Sequence, residues 1–412
     1  MKYKSELLNQ LSSRGYIKDC TNIGDLDLLL SKEKIAAYIG FDCTAQSLHV
    51  GNLLQIMIMR MLMRFGHQPI IILGTATSSI GDPSDKKAIR RALDNDEIAS
   101  NRQSILSIIQ RFLPTSGGVS PIILDNINWI GDMGYLEFLR EYGRYFSINK
   151  MLTFDTVKAR LEQNSPLSFL EFNYMLLQAY DFLHLNKEYG CKLQFGGSEQ
   201  WGNIVNGIDL VRRVTGNEVF GLTSHIITKS DGSKMGKTAD GAVWLKKDML
   251  SPYDYWQFWR NVNDDDVIKF LLLYSDLGID EISKYSLLRG AELNEVKVLL
   301  ADKATEICHG SVEAALAKDR ATSIFVHHNK RDADSIEVEA KLLPSTPIYK
   351  LFVLAKLCSS LGEAKRLIVQ NGAKLNDAHI LDHSYILLPS DYIDGFFTLS
   401  AGKKRHVVVK LV

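Results

Sequence analysis

The sequence predicts an α/β protein: a parallel sheet covered by helices, followed by a small all-α segment and a C-terminal α+β module. Three observations carry this. First, residues 35–41 (Ile-Ala-Ala-Tyr-Ile-Gly-Phe) read as a buried strand, residues 52–65 as a Leu/Met-rich helix without breakers, and residues 69–74 (Pro-Ile-Ile-Ile-Leu-Gly) as a second strand. Strand, helix, strand at this spacing is a βαβ unit, which makes the two strands parallel. Second, short apolar runs at 121–125, 191–195 and 222–228 alternate with helical stretches, as α/β layers require. Third, from Ser251-Pro252 to residue 325 the pattern changes to helix-like periodicity with few strand signals.

Taken in order, residues 4–31 read as an amphipathic helical lead-in, and the sheet domain is expected over 1–245. A helical domain follows at 246–328, with 291–308 its clearest helix. Residues 329–347 are polar, carry Pro344 and Pro347, and read as a linker. The module at 348–412 opens with a helix-like stretch at 359–368, turns at Asn371-Gly372 and ends in Val-Val-Val-Lys-Leu-Val; its nine Lys/Arg exceed its five Asp/Glu.

Composition bounds the function. With 412 residues, two or three domains are expected, and at 46% hydrophobic they bury sizeable cores. Lys+Arg and Asp+Glu both number 48, which excludes a wholly basic nucleic-acid coat and leaves a local basic patch open. The five cysteines are widely spaced with no Cys-x-x-Cys pair, so no protein-bound metal and no disulfide framework is expected. No apolar h-region follows Met-Lys-Tyr-Lys-Ser-Glu, so no signal peptide is expected, and no apolar run approaches the ~20 residues that span a bilayer. A cytoplasmic protein without membrane attachment is the expectation.

Two distant segments make chemical sense together. Residues 48–52 are Leu-His-Val-Gly-Asn and residues 234–238 are Lys-Met-Gly-Lys-Thr. Alternation along the strand puts Tyr38, Gly40 and Asp42 on one face, with Asp42 at the carboxyl end where ligands of open α/β sheets bind. In the crossover that follows, Thr44 and His49 offer hydrogen-bond donors, and Gly51 lets a nucleotide approach the backbone. A lone His-x-Gly is weak, since such a histidine more often caps a helix. The lysine loop is nearly a P-loop, but only three residues separate Gly232 from Gly236, and Asp231 stands where glycine is required. It reads instead as a movable cationic lid for a triphosphate, through Lys234, Lys237 and Thr238. Lys86 and Arg90, four apart, add cations on one face if that stretch is helical.

Residues 166–185 predict a largely buried helix, yet Tyr174, Gln178 and Asp181 form a polar stripe on it at i, i+4 and i+7. Buried polar groups need partners, so the stripe points to a polar ligand or an internal network. A ligand phenol would donate to Asp181 and accept from Tyr38; its ammonium would meet Tyr174, Gln178 and Asp82. Such a site rejects a ligand lacking the hydroxyl, because buried partners would be stranded.

Residues 38–52, 166–182, 194–203 (Gln-Phe-Gly-Gly-Ser-Glu-Gln-Trp-Gly-Asn) and 228–238 closely resemble bacterial tyrosyl-tRNA synthetases, of the tyrosine/tryptophan subclass of class I aminoacyl-tRNA synthetases; the two distant segments resemble that class's HIGH and KMSKS motifs. The resemblance runs the length of the chain. It implies a Rossmann-like catalytic domain, an anticodon-side helical domain and an S-four-like RNA-binding domain. It also implies L-tyrosine, ATP with Mg²⁺ and tRNA(Tyr) as substrates, and a homodimer. Residue by residue, it implies that Tyr38 and Asp181 bind the substrate hydroxyl, and that Asp82, Tyr174 and Gln178 hold the ammonium, with Gln194 and Gln200 around the carboxylate. Gly40, Asp42, Gly51, Asn52, Gly197 and Glu199 would surround adenosine, walled by Ile226 and Ile227. Thr44, His49, Lys86, Arg90, Lys234, Lys237 and Thr238 would serve the triphosphate. Three positions depart from many relatives: Asn52 replaces histidine, Glu199 replaces aspartate, and Cys43 replaces proline. The alternatives are a tryptophanyl enzyme, a small-molecule nucleotidyltransferase on the same sheet, and an RNA-binding protein without activity.

Overall fold

The N-terminal lead-in is helical and consists of two helices. In a computed structural model, which describes residues 2–82, 93–230, 232, 235–238, 241–325, 335–338, 346–376, 378–388, 391–392, 396–402 and 405–411, α1 (Glu6–Ser13) and α2 (Ile23–Lys32) flank a two-residue strand, β1 (Asp19–Cys20). Each helix carries its own cap: Ser5 accepts from the Leu8 amide and Asn22 from the Asp25 amide. The βαβ unit follows as β2 (Ala36–Asp42), α3 (Val50–Arg64) and β3 (Gln68–Gly74), then α4 (Asn95–Phe112) and β4 (Ile122–Asp125). Four short helices come next: α5 (Ile127–Ile130), α6 (Tyr135–Glu141), α7 (Ile148–Met151) and α8 (Asp155–Glu162). Beyond them lie α9 (Phe169–Tyr189), β5 (Cys191–Gly197), α10 (Trp201–Thr215) and β6 (Phe220–Ser224).

The sheet order is β1-β6-β5-β2-β3-β4, parallel throughout except where β1 runs antiparallel to β6. The chain winds outward from β2 through β3 to β4, then restarts on the other side at β5. The crevice between the carboxyl ends of β2 and β5 is therefore the topological switch point where ligands of such sheets bind. β3 is apolar at nearly every position, with Ile70, Ile71, Ile72 and Leu73 buried, because helices cover both faces of a parallel sheet. Each such side chain contributes about 1.5–3 kcal/mol relative to exposure.

A hairpin of two short strands, β7 (Lys237–Thr238) and β8 (Gly241–Ala242), precedes the helical segment of α11 (Pro252–Arg260), α12 (Val267–Tyr274), α13 (Ile279–Tyr285), α14 (Ala291–His309) and α15 (Ser311–Phe325). The chain divides into two compact units, 1–314 and 315–412. Within the first, buried Arg14 donates to the carbonyls of Leu272 (2.8 Å) and Ser275 (3.0 Å), and Tyr16 donates to that of Leu273 (2.6 Å), tying the N-terminus to α12. No helix among the described residues is long and apolar enough to cross a membrane.

The second unit has a five-stranded sheet ordered β11-β10-β12-β13-β9, built from β9 (Ser335–Val338), β10 (Ala373–Leu375), β11 (Ala378–His379), β12 (Phe396–Ala401) and β13 (Arg405–Leu411). Helices α16 (Ile348–Leu354) and α17 (Leu361–Val369) share its core through Ile348, Phe352, Ala364 and Ile368. β9 lies within the stretch read as a linker and pairs in parallel with β13. Its Ser-Ile-Glu-Val alternation sends Ile336 and Val338 into the core, a period-two signal outweighed in the sequence by the nearby prolines.

Candidate active site

A cavity of about 770 Å³ opens at the carboxyl ends of β2 and β5. Tyr38 and Gln194 are register partners on these neighbouring strands, and both line the cavity. At its floor stands Asp181 of α9, 4% exposed. Its carboxylate accepts from the Trp129 indole at 2.7 Å and from the Asn126 side-chain amide at 3.2 Å. Burial pushes its pKa up to about 7 against these two hydrogen bonds, and the Asp42 charge adds to the rise. The Tyr38 hydroxyl is buried without a hydrogen-bond partner among the described residues, as is the side-chain amide oxygen of Gln194. A phenol meeting both Asp181 and Tyr38 would find an acceptor and an unused hydroxyl in one place.

Above the floor, the polar stripe of α9 joins a wider network. The Tyr174 hydroxyl donates to Asp42 at 3.0 Å, and the Thr77 hydroxyl reaches the other Asp42 oxygen at 2.7 Å. Burial, with Asp42 and Asp82 nearby, raises the Tyr174 pKa well above its ordinary value, so the phenol stays protonated and directional. Gln200 donates to Asp82 at 2.7 Å. Asn203 donates to Gln178 at 2.9 Å and to Gln200 at 3.0 Å, which orients both amides. Three carboxylates, Asp42, Asp82 and Asp181, line this end; such a field attracts an ammonium group.

At the mouth, His49 is the N-cap of α3. Its Nδ1 accepts from the Gly51 amide at 3.0 Å, while the Asn52 side chain accepts from the His49 amide at 3.1 Å. Accepting at Nδ1 leaves Nε2 as the protonated nitrogen of the neutral ring, so the capping bond sets the tautomer. The two distant motifs meet here. Val50 donates to the Val243 carbonyl at 2.9 Å, Val243 to the Gly236 carbonyl at 3.0 Å, and Met235 to the Ile227 carbonyl at 2.8 Å. A Cβ on Gly51 would stand 2.7 Å from the His49 ring, and one on Gly236 (φ +84°) 3.0 Å from the Gly51 nitrogen. Only glycine permits this approach.

A model of the class I tRNA synthetases (W and Y) matches residues 30–326. The tyrosine–tRNA ligase of Rhodospirillum rubrum is 48% identical over 412 residues, covering 99% of each chain. That of Pelagibacter ubique is 48% identical over 411 residues, 99% of this chain and all of its own. The chain belongs to the tyrosyl branch of the class I tRNA synthetases. Among solved structures, a C-terminally truncated mitochondrial tyrosyl-tRNA synthetase of Aspergillus nidulans superposes with a TM-score of 0.70 at 29% identity, covering 79% of this chain and 95% of that one.

Of the residues singled out in the sequence, Tyr38, Gly40, Asp42, Thr44, His49, Asn52, Asp82, Tyr174, Gln178, Asp181, Gln194, Gly197, Glu199 and Gln200 line the one cavity. Gly51 lies two residues after His49, in the first turn of α3. Ile226, exposed, and Ile227, buried, are not brought to the cavity wall: β6 ends at Ser224, and the backbone of Ile227 is bound to Met235 instead. Lys86, Arg90 and Lys234 lie outside the described residues, and of Lys237 and Thr238 only the backbone is described. Sequence reasoning missed Thr77, Asn126, Trp129, Asn203 and Gln55. Asn126 directly follows β4, at the ligand-binding end of the sheet, and Gln55 follows Asn52 by one helical step; both signals were present in the sequence.

Proposed function

We propose that this cavity activates L-tyrosine with ATP and then passes the tyrosyl group to the 3′ end of tRNA(Tyr). Family membership carries the overall reaction, tyrosine–tRNA ligation with release of AMP and pyrophosphate; the division of labour is our reading. Tyr38 and Asp181 take the phenol, Tyr174, Gln178 and Asp82 the ammonium, and Gln194 and Gln200 flank the carboxylate. Gly40, Asp42, Gly51, Asn52, Gly197 and Glu199 surround the adenosine. The substrate carboxylate is ionised at neutral pH, given an α-carboxyl pKa of about 3.5, so no general base is needed. It attacks the α-phosphorus in line; the bond to the bridging oxygen breaks, and pyrophosphate leaves with the Mg²⁺ that entered with ATP. Catalysis is then positioning plus stabilisation of charge developing on the leaving phosphates. His49, Thr44, Lys86, Arg90, Lys234, Lys237 and Thr238 serve that charge.

The observation that carries this reading is the shared cavity: the buried carboxylate of Asp181 at one end and the capped, tautomer-fixed His49 at the other. Tyrosine-dependent ATP–pyrophosphate exchange tests it, with phenylalanine and tryptophan as competitors. Exchange driven equally by phenylalanine would overturn the phenol assignment.

For tRNA we assign residues 246–328 to the anticodon side and the basic module 348–412, together with β9 of its sheet, to S-four-like RNA binding, with catalysis in 1–245. The reaction belongs in the cytoplasm. We also read the protein as a homodimer, as the family resemblance implies; Tyr135, Leu136, Ile148, Leu161 and Phe169, all between residues 135 and 169, are large apolar side chains left exposed, Leu136 to 80%. Sedimentation of the Leu136→Asp variant as a monomer is the expected result.

A further inference from the structure

The approach to the lysine loop is tied to the helical segment. Thr228, Lys229 and Ser230 lead from β6 toward Lys-Met-Gly-Lys-Thr. Asp266 accepts from both the amide (2.9 Å) and the hydroxyl (3.0 Å) of Ser230 through one carboxylate oxygen. Asn263 donates to the same hydroxyl at 2.8 Å, and the Lys269 ammonium donates to the Thr228 carbonyl at 2.6 Å. The Lys229 ammonium lies 5.7 Å over the Phe258 ring.

Asp266 is 3% exposed and stands immediately before α12. An aspartate there ordinarily accepts from the first amides of its own helix. This one makes no capping bond and is directed at Ser230 instead. A buried carboxylate is costly unless hydrogen-bonded, so the two hydrogen bonds it accepts from Ser230 are a strong local constraint. On the far side of the loop, Met235 and Gly236 are held against Ile227 and the start of α3. The residues on either side are therefore held by two separate elements, Thr228 and Ser230 by the start of α12, and Met235 and Gly236 by Ile227 and the His49 turn.

We propose that Asp266 is a positioning residue for tyrosine activation, fixing Ser230 so that residues 235–238 are set in register against His49. The inference rests on the function read above. Its effect belongs to the activation step rather than to tyrosine binding, because Tyr38 and Asp181 are carried by β2 and α9. Misplacing a group that acts on the transition state costs rate with little change in ground-state affinity.

The test is the rate constant for adenylate formation in the full chain at saturating ATP and tyrosine, beside tyrosine affinity by equilibrium dialysis. Asp266→Ala is expected to lower the rate constant by about tenfold or more and to leave tyrosine affinity within about twofold. Asp266→Asn retains an acceptor and is expected to recover to within about threefold of the parent. An Asp266→Ala protein with the parental rate constant overturns the proposal, as does a loss confined to tyrosine affinity. If Asp266→Ala does not fold, Ser230→Ala and Asn263→Ala decide: slower activation in either supports the proposal, and parental rates in both overturn it. A parent chain without tyrosine-dependent exchange would instead defeat the underlying functional reading.

Discussion

Trp129 donates its indole N–H to Asp181 at 2.7 Å, so the carboxylate at the cavity floor is held by a four-residue helix far from it in sequence. That bond is the largest influence opposing the burial that pushes the Asp181 pKa up to about 7 from its ordinary 3.8. Between these values the folded protein holds a proton on Asp181 that the unfolded chain has lost. Stability attributable to this group therefore falls as pH rises from about 4 to about 7 and is level above. Relative to the neutral Asp181→Asn variant, the parent should lose melting temperature steadily across that window. Trp129→Phe removes the opposing bond and should extend the upper end of the window beyond pH 7. Melting curves of the three proteins from pH 4 to 8.5 check both statements.

Tyr38→Phe should separate stability from recognition. The hydroxyl is buried without a partner among the described residues, and an unsatisfied buried group costs about 1–3 kcal/mol. Removing it should leave the free protein as stable as the parent or about 1 kcal/mol more stable. Tyrosine affinity should fall, and discrimination against phenylalanine should narrow. Denaturant unfolding and competitive exchange measure the two effects; a destabilised variant with unchanged selectivity would contradict this.

His49 performs two tasks that different substitutions should divide. As the cap of α3 it contributes about 1 kcal/mol, and its ring stands at the cavity mouth. His49→Ala should lose both the cap and about tenfold or more in adenylation rate. His49→Asn restores a good cap and should recover stability without recovering rate. Pre-steady-state activation kinetics beside urea unfolding distinguish them.

Arg160 and Glu171 form a buried ion pair at 3.3 Å, each side chain under a tenth exposed. Glu171 also accepts from the Ser168 amide and hydroxyl, both at 3.0 Å, at the start of α9. Although Glu171 lines the cavity, these bonds make it a structural clamp on the helix that carries Tyr174, Gln178 and Asp181. Arg160→Ala leaves a buried charge without this partner and should destabilise by about 3–5 kcal/mol. The loss should be smaller in the Arg160→Ala, Glu171→Gln double variant. Equal losses in the two would argue against the clamp.

Much of this architecture was legible locally. The βαβ unit, the long apolar helix carrying Tyr174, Gln178 and Asp181, and the polar face of β2 follow from side-chain period and from breakers, which act over a few residues. The linker misled for the same reason: the four-residue strand β9 lies in a polar stretch six residues before Pro344, and its short period-two pattern was too local to outweigh that composition. Ile226 and Ile227 stood outside the cavity because a chain's direction beyond its last strand pair is set by what it bonds to, here Met235 for Ile227.

Residue types and the faces they occupy are readable along the chain: a phenol and a carboxylate on β2, a polar stripe on an apolar helix, a histidine before a glycine, and cations in a later loop. Which groups satisfy one another follows from packing alone. Asp181 is held by Trp129 and Asn126, Tyr174 is turned to Asp42, Asn203 orients Gln178 and Gln200, and Ser230 is fixed by Asp266. Hydrogen bonds act over about 3 Å, and all of these partners except Asn203 and Gln200 lie 25 or more residues apart in sequence. Periodicity reports the direction of a side chain; its partner depends on how the elements pack.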